Sequence, residues 1–364
     1  MRGKDVFQTV VGRKIFLILR SLLVRISRLS HIWSHHDILS SRIFHSTPSF
    51  NPIPVPSSQV THSRTHHRQQ VSRSICYATP LEPELYNLTD SFEQDPSQHR
   101  FAELSLRAAD IRVNVERLLG GWGLGHAPLP HPPPRSMIEA LLHEADALEA
   151  DYAAHVAALP IAWKGMTVRC MTKDDPAIMG GIAYVGRVDA YIDMFICYIL
   201  NWARAARLYV RNTAMRCRAW LLGPEGDYRE GPEYEATRVL CEALIADIVA
   251  SVPYVFGAAR ASSGYAEGAS SGGRYQPPSL AGVFCMWPVF ASASSDFATE
   301  TQRTFMKRTL KYISEEMGIG QAAILATVSG RLSFFSHLRD HNETDKLSHS
   351  ITSDHHRCPS PLRA

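Results

Sequence analysis

The sequence predicts an all-α fold, a single irregular multi-helix domain with a disordered N-terminal head and a disordered C-terminal tail. Three observations lead there. Apolar residues recur at spacings of three and four in segment after segment, which aligns them along one side of a helix. Those segments stop at glycine or proline, the residues that end helices. Composition also shifts at both ends, from apolar and periodic to polar and irregular.

Of the 364 residues 45% are apolar and 20% charged, which suits a globular protein with a sizeable core. The net charge of +3 is too small to argue for nucleic acid or a membrane surface. It is concentrated in the head: Asp5 and Asp37 are its acidic residues up to Pro80, against a long series of arginines and lysines. Arg13, Lys14, Arg20, Arg25 and Arg28 interrupt the first apolar run, so no membrane span is expected there. An Arg-rich, Ser-rich, acid-poor head fits a mitochondrial transit peptide, and equally a stretch outside the folded protein. Residues 1–80 are therefore read as head, 81–335 as the helical domain, and 336–364 as tail.

In the domain, Phe101, Leu104, Ala108, Ile111, Val115 and Leu118 form one helical seam. Fewer than three heptads make this a core-facing helix rather than a coiled coil. A Gly- and Pro-rich spacer follows from Gly120. Ser136 with Glu139 predicts a capping box opening the next helix. Residues 162–181 read as a short hairpin or loop, and Ile182 to Leu222 as one very long helix or two end to end, stopped at Gly223-Pro224. Pro232 opens a helix that ends at Pro253. Residues 257–279 read as a mobile Gly/Ser loop. Thr299 with Gln302 caps the last long helix, whose stripe is Met306, Leu310, Ile313 and Met317 and whose stop is Gly318.

The sequence proposes no enzyme. The glycines at 120, 121, 123 and 125 are a helix terminator, since no strand precedes them. Seven cysteines lie at least twenty positions apart, without any C-x2-C pair, which excludes a zinc ribbon, a zinc finger and a thioredoxin motif. His62, His66, His67, His355 and His356 lie in polar segments unsuited to a rigid metal site, so no cofactor is expected. Asp189 and Asp193, one helical turn apart, could pair as acid and base, but their place beside Arg187 favours ion pairing. Asn201, Arg204, Arg207, Arg211 and Arg218 share one face of the long helix. Such a face either cradles an acidic ligand or partner or pairs with acidic helices of the chain itself.

Four segments in order resemble the regulatory region of fungal zinc binuclear cluster transcription factors. They are "YIDMFICYILNWARAARLYVRN" with Asn201, Arg204 and Arg207; "ALIADIVASVPYVF" with Ser251 and Pro253; "GVFCMWPVFASASS" with Trp287 and Pro288; and "LKYISEEMGIGQAAILA" with Gly318. The resemblance implies an all-helical, nuclear, non-enzymatic domain of transcription regulation, working with other transcription-factor chains or coregulators. The six-cysteine zinc cluster of that family has no counterpart here, so direct sequence-specific DNA binding by this chain is not expected. Two alternatives follow from the residues: a mitochondrial helical protein, or a helical enzyme holding an acidic substrate on its arginine face. Pro288 is expected to kink or restart its helix, with Trp287 anchoring the corner at a cost of about 3 kcal/mol on removal.

Overall fold

The computed structural model describes residues 70–72, 74–76, 78–88, 96–119, 132–175, 183–223, 226–257 and 279–328. The expected head, Gly/Pro spacer, Gly/Ser loop beyond Gly257, and tail lie almost wholly outside these. The chain divides into two compact units. Of the first, the described residues are 70–72 and 81–88, including the short helix α1 (Glu84–Leu88), with Val71 and Leu85 buried. The second holds every other described residue.

The described residues of that second unit are helical apart from one antiparallel strand pair, as the sequence predicts. Its order is α2 (Pro96–Leu119), α3 (Arg135–Ala158), a single 3-10 turn (Ile161–Trp163), β1 (Met166–Met171), β2 (Gly186–Ala190), α4 (Met194–Leu222), α5 (Pro232–Val255), α6 (Ser279–Ser294), α7 (Glu300–Glu315) and α8 (Gly320–Val328). Helix α4 lies at the centre, packed against α2, α3, α5 and α6, while α7 and α8 continue outward from α6. It is buried on most of its circumference, the expected state of a helix surrounded by others. Alanines at 203, 205, 206, 214 and 219 keep much of that surface small, which lets neighbouring backbones come close.

Several local rules hold. The whole predicted seam of α2, from Phe101 to Leu118, is buried. Thr299 and Gln302 form a reciprocal capping box, and Gly318 takes the left-handed conformation (φ 73) just past α7. Pro232 stands in the first turn of α5.

Four expectations need correction. The segment from Ile182 is not helical at its start: Gly186 to Ala190 pairs antiparallel with β1, with Met171 opposite Gly186 and Met166 opposite Ala190. Gly186 has φ 125, a conformation foreign to a helix, and α4 begins only at Met194, capped by Asp193 accepting from the Ile196 amide at 2.7 Å. Ser136 does not cap α3. Pro134 holds that position without a side-chain bond, and Glu139 pairs with Arg135 at 2.8 Å instead. Helix α5 runs past Pro253 to Val255, because a proline in the last turn loses only one backbone bond.

The fourth concerns Pro288. Helix α6 is continuous through it, with no restart after Trp287. Ala281, Cys285, Met286, Val289 and Phe290 are buried along this helix. Their burial offsets the roughly 3 kcal/mol that an interior proline costs. The Trp287 ring is only partly buried and meets Phe290 edge-on, at 6.1 Å between centroids. Phe290, 1% exposed, fills the core position.

Candidate functional site: an interhelical arginine network

The arginine face of α4 is turned into the bundle, and each of its cations meets an acidic or polar group of the chain itself. Arg207 grips Glu149 of α3 with both arms of its guanidinium: Nη2 donates to Oε1 at 2.6 Å, and Nε to Oε1 and Oε2 at 3.0 and 3.2 Å. One turn on, Arg211 donates to Asp146 Oδ1 at 2.7 Å and to Thr237 Oγ1 of α5 at 2.6 Å. Arg218 reaches the other oxygen of Asp146, also at 2.7 Å. Planar guanidiniums suit such two-armed binding of a carboxylate.

Arg204 lies nearer the hairpin. It donates to the Tyr191 hydroxyl at 2.9 Å and to Asn201 Oδ1 at 2.8 Å, and faces Asp247 of α5 at 3.3 Å. Burial pushes the Tyr191 phenol well above its usual pKa, so it meets Arg204 as a neutral acceptor. Asp247 also pairs with Arg187 of β2, which tethers the hairpin to α5. Asn201 in turn donates through Nδ2 to Ser251 Oγ at 2.7 Å, and Ser251 donates to the Ile248 carbonyl at 2.6 Å. Thus Asn201, Arg204, Arg207, Arg211 and Ser251 fall into three neighbouring clusters of contacts, around Glu149, around Asp146 and around Asn201 with Asp247, which together suture α3, α4 and α5. Breaking one partner of a buried pair strands the other charge, which is destabilising.

The two carboxylates weighed as an acid and base have separate structural tasks. Asp189 lies in β2, accepting from Thr167 Oγ1 at 2.7 Å beside Arg187, and Asp193 caps α4.

A second ionic cluster, not anticipated from the sequence, joins α2 to α4. Glu116 is fully buried and accepts from Arg112 at 2.9 Å and from Arg216 at 2.7 Å. Burial, and then the facing charge of Arg216, lowers the Arg112 pKa. The i, i+4 spacing of Arg112 and Glu116 was a visible signal, but it reads the same on an exposed face. Only α4, arriving with Arg216, makes the site an enclosed one.

Six of the cysteines lie among the described residues. Cys197, Cys217, Cys241 and Cys285 are free and buried, whereas Cys170 is exposed on β1. Burial raises the pKa of Cys217 to about 11, against the pull of Arg216 and Arg218, and that of Cys241 to about 12. A group whose folded pKa lies above its unfolded value retains fewer protons in the unfolded state between the two, so stability falls as pH rises. In reducing buffer the unfolding free energy is therefore expected to be flat up to about pH 8.5, then to fall by up to ~1.4 kcal/mol per pH unit for each such thiol. Urea midpoints at pH 8 and pH 10 measure this. An unchanged midpoint, or equal loss in a Cys217→Ala/Cys241→Ala protein, would contradict it.

Comparison with known proteins adds one relation. The chain is 29% identical over 145 residues to Transcription factor dbaG of Emericella nidulans. The matched stretch is 39% of this chain and 32% of that protein, so the similarity spans about a third of the relative's length. No family model matches the chain, and no solved structure matches it.

Proposed function

We propose that this chain regulates transcription as a helical regulatory domain of the fungal zinc-cluster factor type, acting in the nucleus through other transcription-factor chains or coregulators and without enzymatic activity. The observation that carries the reading is the similarity to a fungal transcription factor over 145 residues. The contacts among the resembling segments support it. Asn201 of the first segment binds Ser251 of the second. Phe284 of the third stacks on Tyr198 of the first at 4.3 Å between centroids. Gly282 of the third lies so close to Ile313, Met317 and Ile319 of the fourth that an added Cβ would meet Ile319 Cδ1 at 2.8 Å. The four segments thus form one connected core.

In this reading the arginine face is a scaffold and contacts to partners are made elsewhere on the domain. Amongst the described residues, no helix is long and apolar enough to cross a membrane. Tethering the full chain to a heterologous DNA-binding domain upstream of a reporter tests the proposal. A reproducible rise or fall in transcription is expected, with the tagged chain in the nucleus. Unchanged output from a well-expressed fusion, or accumulation of the untethered chain in mitochondria, would overturn it.

A further inference from the structure

Helices α7 and α8 leave a groove of about 400 Å³ between them, lined by Lys307, Arg308, Lys311, Ser314 and Glu315 of α7 and by Ala323, Ala326 and Thr327 of α8. The opposite face of α7, with Phe305, Met306, Leu310 and Ile313, is committed to the core, so the groove side is the outward one. Ala323, exposed, and Ala326, half-buried, give it a small apolar patch that leaves room for another side chain, flanked by the hydroxyls of Ser314 and Thr327. Its rim is basic. Lys311 stands 3.7 Å from Glu315, whereas among the described residues Lys307 and Arg308 have no ion-pair or side-chain hydrogen-bond partner. Two neighbouring cations held together without a counter-charge are the exception in a domain that pairs most of its arginines.

We propose that this groove docks a short acidic segment of a partner protein, with an apolar side chain seated over Ala323 and Ala326 and carboxylates facing Lys307 and Arg308. The charge pattern sets both length and direction. Lys307 to Glu315 is eight residues of helix, about 12 Å at the helical rise, the span of roughly four extended residues. Glu315 closes one end with negative charge, so the acidic part of the segment lies at the Lys307 end. Nucleic acid fits less well: three cations against a carboxylate and an alanine patch oppose the evenly spaced phosphates of a duplex, whose binding draws on many contacts.

The inference rests on the reading of the chain as one that acts through partners, and it is tested apart from it. The probe is a fluorescein-labelled octapeptide, Asp-Asp-Leu-Asp-Glu-Phe-Ser-Gly, titrated into the full chain at low salt and followed by polarisation. Binding is expected to weaken about tenfold in the double variant Lys307→Glu/Arg308→Glu, whose native side chains make no ion pair or side-chain hydrogen bond among the described residues, and to weaken likewise in Ala323→Trp, which fills the groove without changing charge. Raising the salt lowers the wild-type affinity and leaves the charge-reversed protein nearly unaffected. Absent binding by the folded wild-type chain overturns the proposal, as does binding indifferent to the charge-reversed variant. Tighter binding of a random duplex than of the peptide, lost on charge reversal, assigns the groove to nucleic acid and also overturns it. If the variant instead alters the chain's oligomeric state by light scattering, the occupant is a second copy. Reporter activity that persists while peptide binding fails removes the groove alone and leaves the transcriptional reading standing.

Discussion

Glu116→Ala is expected to destabilise the domain by about 3–5 kcal/mol, a large fraction of the 5–15 kcal/mol that holds a typical domain folded. The carboxylate is fully enclosed between Arg112 and Arg216. Taking it away leaves two guanidiniums facing each other in a poorly solvated place, and neither can lose its charge near neutral pH. The penalty is that of uncompensated charge, which separates it from a simple cavity. Replacing all three residues by apolar ones, Arg112→Met, Glu116→Leu and Arg216→Met, should therefore recover much of the loss despite removing every ionic contact. Urea unfolding followed by tryptophan fluorescence measures both. A loss under about 1 kcal/mol for Glu116→Ala would show that the carboxylate does not compensate the arginines.

Phe290→Ala is the second large effect, expected at about 3–5 kcal/mol, with Trp287→Ala at least 1 kcal/mol milder. A tryptophan next to a proline looks like the anchor of a corner, but α6 continues through Pro288, leaving the Trp287 ring partly exposed and directing Phe290 into the core. Thermal or urea unfolding of the two variants side by side decides it. A Trp287→Ala protein less stable than Phe290→Ala would return the anchoring role to the tryptophan.

Both predictions turn on the same difference between what is local and what is not. The seam of α2, the capping box of α7, the proline start of α5 and the glycine stop after α7 are all legible along the chain, because each depends on residues within one or two helical turns. The start of α4 is legible only in part. Gly186 and Asp193 each carry a local signal, a positive φ and a helix cap, but the absence of proline from Ile182 onward hides the strand between them. Ser136 shows the converse. Its spacing to Glu139 satisfies the capping-box pattern, yet Arg135 claims Glu139 and the cap falls two residues earlier, at Pro134.

The arginine face was legible as a face, and the sequence left two destinations open for it. Spacing puts Arg204, Arg207 and Arg211 on one side of a helix, but their partners Asp247, Glu149 and Asp146 lie 43, 58 and 65 positions away. No periodicity reaches that far. The same holds for Asn201 and Ser251, fifty positions apart and joined by one hydrogen bond.

The sequence by itself determined that this protein is a set of amphipathic helices, where most of them begin and end, and which faces carry the apolar and basic residues, since helix period, capping and turn chemistry act over a few residues. Only the tertiary structure decided which charges neutralise one another, that Glu116 is buried between two arginines, that Phe290 rather than Trp287 fills the core, and that Lys307 and Arg308 are left facing outward. Those outcomes depend on dielectric environment and on neighbours brought together by chain folding, and both are properties of the packed assembly of helices.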